Sequence, residues 1–251
     1  MNVLVPPGGS AAGRDRGLLG RMSGPQRPGH GGTGPGAITP DGCAVEMYLR
    51  IEPGDEPDVI ASAAPPGARL LELGCGVGRI THPLVARGFR VTAVDESPDM
   101  LAHVRGARTV RSAIETLDLG DERFDVVLLG SFLVHNGDPA VRLGMLRTCR
   151  RHTAEGGCVL IQREGMDWHL DVPRERRTAD GVVRVAAADP VGPDTSSVRV
   201  EYAFPDATWT QTFLSRRFTD EGFADALAEA GLAVDAYLTP DRTWVRAVPS
   251  G

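Results

Sequence analysis

Hydrophobic and polar positions change their rhythm three times along this chain. Over residues 1–38 large apolar side chains are sparse among glycines and prolines. Such a stretch buries too little surface to offset its ordering entropy, so a disordered tail is expected. From Thr39 the pattern becomes helical, first with Asp41 as the expected cap of a short helix carrying Val45, Met47, Tyr48 and Leu49, then again after Pro57. Short apolar runs at 69–73, 90–94, 109–114, 124–129 and 158–162 then alternate with helical stretches at 80–87, 98–104 and 139–152. That alternation predicts an α/β fold, a doubly wound parallel sheet with helices on both faces.

Residues 168–217 break the alternation. Three runs rich in valine, threonine and aromatics, at 182–187, 197–204 and 208–214, are separated by Pro190, Gly192, Pro193, Pro205 and Asp206. They predict an antiparallel meander inserted late in the domain. Thr219 then caps a helix with Asp220 and Glu221 in its first turn, and Gly231 ends it. Strands at 233–238 and 242–248 close the sheet. The expected plan is a tail over 1–38 and one domain over 39–251, with its insertion at 168–217.

Charge and composition narrow the chemistry. The 27 basic residues are all arginine, which excludes a Schiff-base lysine and a P-loop lysine. A net charge of −6 argues against a nucleic-acid backbone as the main partner. Cys43, Cys75, Cys149 and Cys158 have neither zinc-ligand nor disulfide spacing, and no acidic triad suits magnesium, so no metal is expected. No apolar run reaches the length of a membrane span and the N-terminus lacks a signal-peptide core, so a cytoplasmic protein without membrane contact is expected.

The densest chemistry lies at Glu72-Leu73-Gly74-Cys75-Gly76-Val77-Gly78-Arg79. A strand running through glycines into a helix brings backbone amides close to a ligand. A dinucleotide site wants glycines at the first, third and sixth positions. Here they stand at the first, third and fifth, with Arg79 at the sixth, which disfavours a nicotinamide oxidoreductase. The loop resembles motif I of the class I S-adenosylmethionine-dependent methyltransferases. Further likeness lies in Val94-Asp95-Glu96-Ser97-Pro98-Asp99-Met100, in Phe124-Asp125-Val126-Val127-Leu128-Leu129, and in Thr153-Ala154-Glu155-Gly156-Gly157-Cys158. The motifs follow the family's order over roughly 69–162, and the chain from about Asp41 resembles actinobacterial members.

The resemblance implies a Rossmann-like seven-stranded sheet and a cofactor, S-adenosyl-L-methionine, left as S-adenosyl-L-homocysteine. It places Gly74, Gly76 and Gly78 under the methionine moiety, with Glu72 orienting the loop or the cofactor's ammonium. Asp95, followed by Glu96, would take the ribose hydroxyls. Met100 either touches the adenine or belongs to the core. Ala113 stands where many relatives carry an aspartate for the adenine amino group, leaving the backbone around Ile114, helped by Glu115. Ser131 is placed at the cofactor edge after the fourth strand. Tyr48 either closes over the methionine end or packs in the core.

An acceptor should meet the methyl group beyond the fourth and fifth strands, where open α/β sheets bind ligands. His135 is the best candidate there for a base or orienting group, with capping of the next helix or packing against the tail as the alternative. Glu164 and His169, flanking Trp168, form a second cluster for substrate contact, with surface solvation as the alternative. Arg174, Arg176 and Arg177 read as a solvated face or as an anchor for an anionic group. The function expected by resemblance is methyl transfer to a small organic molecule, in specialised metabolism, by a monomer or homodimer. The same motifs also suit a cyclisation, elimination or rearrangement driven by the sulfonium, or a non-catalytic binding subunit.

Overall fold

The computed structural model describes residues 20–22, 24–178 and 180–251. The chain begins with β1 (Arg21–Met22), β2 (Gly31–Thr33) and β3 (Ala37–Ile38), then α1 (Val45–Tyr48) and α2 (Glu56–Ala63). The alternating part gives β4 (Arg69–Leu73), α3 (Thr81–Ala86), β5 (Arg90–Asp95), α4 (Pro98–Leu101), β6 (Arg108–Arg111), β7 (Phe124–Leu129), α5 (Pro139–His152) and β8 (Thr153–Gln162). The late segment gives β9 (Arg174–Arg177), β10 (Val182–Gly192), β11 (Thr195–Ala203) and β12 (Thr208–Arg216). The chain closes with α6 (Asp220–Glu229), β13 (Leu232–Tyr237) and β14 (Trp244–Pro249).

Seven strands form one sheet in the order β13-β14-β8-β7-β4-β5-β6. Five of them are parallel, while β14 runs antiparallel to both β8 and β13. One apolar cluster covers one face, with Leu71, Val127, Met145, Phe223 and Leu227. The other face packs Ile60, Leu70, Leu84, Phe89 and Leu160. Burial on both faces is why these strands are almost continuously apolar. Strand order reverses between β4 and β7, which opens a crevice beyond their carboxyl ends.

A second sheet, β2-β12-β11-β10-β9, is antiparallel throughout. It contains the predicted meander and adds two strands to it. Arg174, Arg176 and Arg177 form its edge strand β9. The turn expected at Pro190 falls later: β10 runs through Pro190 to Gly192, and Asp194 turns the chain with φ 52°. Proline fits because β9 pairs only with 182–185, which leaves that stretch of β10 with an open edge.

The tail expectation needs correction. Residues 1–19 and Ser23 lie outside the described residues, but the rest of 1–38 is ordered. Strand β2 pairs with β12, and Ile38 packs with Ala44, Met47 and Trp209 between the two sheets. Asp41 does not cap α1, whose N-cap is Ala44. Instead Asp41 accepts from the Thr39 hydroxyl and, at 3.4 Å, from the Cys43 thiol. Thr219 does cap α6, accepting from the Gly222 amide at 3.0 Å.

Candidate active site

Strand β4 ends in a loop that only glycine accommodates. Gly74, Gly76 and Gly78 have φ of 73°, 55° and 88°. The Gly74 and Cys75 amides donate to the Val94 carbonyl at 2.8 and 2.9 Å, which fastens the loop to the end of β5. Asp95 completes that junction, accepting from the amides of Gly76 and Ser97 at 2.9 Å each. Burial lifts its carboxyl to about 6. Ser97 caps α4 by accepting from the Met100 amide, which sets Met100 beside Val77 and Val45. A Cβ on Gly76 would meet nothing closer than the Met100 sulfur, 3.9 Å away, so the space above the loop is open.

Glu72 and Gly78 stand behind this surface. The Thr81 hydroxyl donates to Glu72 at 2.6 Å, and burial raises that carboxyl to about 7. A Cβ on Gly78 would lie 2.8 Å from the His82 ring. These residues join the strand to its helix.

Arg27 comes from the segment expected to be disordered. Its guanidinium grips Glu96 with two bonds of 3.0 and 2.8 Å and reaches Glu115 at 2.8 Å. Two carboxylates hold its proton still more firmly than usual. Arg27 therefore bridges the loops following β5 and β6, beside Ala113 and Ile114 on the same cavity wall. The sequence signal for it was slight, a single arginine among glycines and prolines.

After β7, Ser131 and Phe132 both adopt left-handed backbone, φ 51° and 60°. Two such residues in succession cost on the order of 1–3 kcal/mol each. The Ser131 amide donating to Gln162 at 2.8 Å helps hold them. His135 follows, and both of its ring nitrogens are engaged. Nδ1 donates to the Arg216 carbonyl at 2.7 Å, and Nε2 accepts from the Glu164 amide at 2.8 Å. A carbonyl acceptor and an amide donor fix one neutral tautomer. Burial and the neighbouring positive groups press the imidazole down to about 4. His135 thus holds Glu164 in place and has no free nitrogen for a substrate proton. His169 is buried, bonded to Ser215 at 2.9 Å and packed edge-on to Trp168. Glu164 is the member of that trio whose carboxyl is left without a partner.

These surfaces meet in one cavity of about 960 Å³. Its volume lies near the top of the usual small-molecule range, roughly 300–1,000 Å³. The glycine loop and Asp95 form one end. Val200, Tyr202, Gln211 and Phe213 of the antiparallel sheet roof the other, with Trp168 and Glu164 at the side. Tyr48 stands between the two, its hydroxyl 3.7 Å from the Cys43 sulfur, which Gln211 contacts at 3.0 Å. The Cys43 sulfur and burial push the Tyr48 phenol well up.

Comparison with known proteins agrees with this geometry. Residues 70–157 match the methyltransferase domain family. An uncharacterised methyltransferase of Mycobacterium tuberculosis is 39% identical over 104 residues, covering 39% of this chain and 42% of the relative. A ubiquinone biosynthesis O-methyltransferase of Caulobacter is 35% identical over 107 residues, 38% of this chain and 40% of the relative. The matched stretch thus spans about two fifths of the length of these relatives. In fold, the X-ray structure of a sugar N-methyltransferase from Streptoalloteichus aligns over 100% of both chains with a TM-score of 0.62 at 20% identity.

Residues 70–157 carry a methyltransferase domain.

The fold gathers most of the expected cofactor contacts on one wall: Gly74, Gly76, Asp95, Glu96, Met100, Ala113, Ile114, Ser131 and Tyr48 all line the cavity. Sequence reasoning missed Arg27, Cys43, Tyr202 and Gln211. The last two sit on the cavity-facing side of predicted strands, so period-two alternation was the available signal for them. Among the described residues, no cluster of side chains suits a metal ion and no helix is long and apolar enough to cross a membrane.

Proposed function

We propose that the protein transfers a methyl group from S-adenosylmethionine to a small organic molecule held beneath the antiparallel sheet. The observation that carries this reading is one cavity that joins a glycine-and-carboxylate wall to a roof of aromatic and aliphatic side chains. The cofactor fits the residues present: an open glycine cradle, and a buried carboxylate with acceptor capacity beyond its two backbone donors. When bound, it supplies a methyl group already activated on a sulfonium. The protein's own residues then have to align an acceptor and manage its proton. Asp95 and Glu96 would hold the ribose, the glycine loop the methionine part, and the backbone at Ala113 and Ile114 the adenine, with Ser131 and Tyr48 beside them.

A ubiquinone biosynthesis O-methyltransferase stands among the relatives and a sugar N-methyltransferase among the structural neighbours, which supports a small-molecule acceptor. No specific observation favours cyclisation, elimination or rearrangement over transfer. The acidic chain, with sequence pI near 5.5, supports a reading without nucleic acid. Cytoplasmic location and a monomeric or homodimeric state complete it. The test is calorimetric titration with S-adenosylmethionine, S-adenosylhomocysteine and NAD in parallel. Micromolar binding of the two sulfur nucleosides, with none of NAD, is expected. Failure of both to bind folded protein would overturn the assignment.

A further inference from the structure

Glu164 is an unusual group to leave without a partner. It follows β8, at the sheet edge where the acceptor would lie, and it lines the cavity. No hydrogen bond or ion pair reaches that carboxyl from any described residue. Arg174 is the charged group whose field acts on it. That guanidinium lies 4.6 Å from the Trp168 ring centroid and donates to the Trp168 and Asp171 carbonyls at 2.6 and 2.7 Å. His135 is neutral and fixes the Glu164 backbone, while His169 is tied to Ser215. Burial, offset in part by Arg174, raises the carboxyl to about 8. A partly buried acid with no partner is costly unless a ligand supplies one.

We propose that the acceptor is an amine, and that Glu164 binds its ammonium and takes up one proton to free the nitrogen lone pair. This rests on the small-molecule methyltransferase reading above. In the step, an N–H bond of the ammonium breaks, an O–H bond forms on Glu164, and the electron pair stays on nitrogen. Burial distinguishes an amine from a hydroxyl. An aliphatic ammonium titrates near 10.4 in water and a phenol near 10. Desolvation disfavours whichever form is charged, so it lowers the ammonium and raises the phenol. In this cavity the amine moves towards Glu164 while the phenol moves away from it. Proton transfer between matched groups is efficient, and between mismatched ones it is not.

Proton bookkeeping makes the test specific. Near pH 7 the free protein holds Glu164 mainly protonated, and a free amine is mainly ammonium. Their complex keeps one of these two protons, whether as carboxylate–ammonium or as acid–amine, and releases the other. Protein saturated with S-adenosylhomocysteine is titrated with matched pairs, tyramine against tyrosol and glucosamine against glucose, in buffers of different ionisation enthalpy. Amines should bind more tightly than their alcohols and release about one proton each. Glu164→Gln should abolish that release and the preference, while Glu164→Asp retains the release. Where an amine is methylated, Glu164→Gln should lower kcat/KM by about 10²-fold or more. Alcohols binding as well as amines, or Glu164→Gln keeping the preference and the release, would overturn the inference. The prior saturation step separates this from failure of the cofactor assignment, in which S-adenosylhomocysteine itself would not bind.

Discussion

The two ends of the cavity are built in opposite ways. The centre of the cofactor end is one local stretch, β4 through α4, where each part constrains the next: strand, glycine turn, helix, strand, carboxylate; Ala113, Ile114 and Ser131 join it from the loops after β6 and β7. The acceptor end is assembled from the paired strands β10, β11 and β12 with the loop after β8, which follow one another along the chain, and from the distant segment before α1. Local geometry forces particular residues at particular spacings, whereas a roof of paired strands needs only a suitable face. The centre of the first end lies within the stretch that matches the methyltransferase domain family, and the roof lies outside it.

The strongest way to break the comparison is to undo the joint between roof and base. Trp209 is buried where β12, the N-terminal segment and α1 meet, and its indole donates to the Pro35 carbonyl at 2.8 Å. Trp209→Ala should cost about 3–5 kcal/mol of stability. If the two ends are separable units, hydrogen exchange will show 20–44 and β10–β12 losing protection while β4, β5, β7 and β8 keep theirs. Uniform loss over both sheets would mean that the roof is part of one cooperative core.

That joint also explains where the sequence misled. Glycine and proline density over 1–38 predicts disorder because composition counts missing side chains as missing burial. In the structure the glycines allow close contact instead. A Cβ on Gly34 would strike the Trp209 ring, and one on Gly42 would strike the Gly31 carbonyl. The segment packs by its backbone, which hydrophobic patterning does not register. By contrast, the left-handed glycine turn after β4, the place of Asp95 at the end of β5 and the alternation of parallel strands with helices were legible, since each rests on a local requirement. His135 was legible as a position but not in its role: whether an imidazole faces a substrate or two backbone groups depends on Arg216, far along the chain.

A sharper comparison comes from Asp95. It accepts two backbone amides already, so Asp95→Ala should both loosen the glycine loop and remove the ribose partner. Cofactor binding should weaken by on the order of 1–3 kcal/mol, with the roof's hydrogen exchange unchanged. The pH dependence follows in sign. Burial lifts Asp95 to about 6, and ribose hydroxyls donating to the ionised form would pull that value down on binding. Affinity for S-adenosylmethionine should be nearly flat above neutrality and fall as pH drops below about 6, by at most about tenfold per unit. Asp95→Ala should flatten the slope. Calorimetric titration from pH 5 to 8 checks both, and a slope that survives the substitution would assign the titration to another group.

The smallest expected effect belongs to Arg27, the residue of the N-terminal segment that crosses to the cofactor end. Its pairs with Glu96 and Glu115 are only partly shielded from water, with 22% of the Arg27 side chain exposed. Exposed pairs contribute little, and this fork should contribute about 1 kcal/mol. Arg27→Ala should therefore raise the S-adenosylmethionine Kd a few-fold, chiefly by faster release, with the difference shrinking as salt screens the pair. Arg27→Lys should recover only part, because an ammonium cannot reproduce the planar fork that grips Glu96. Stopped-flow dissociation at low and high salt reads the result. A release rate unchanged by Arg27→Ala would leave the N-terminal segment as part of the roof alone, and the two ends of the cavity would meet without a latch between them.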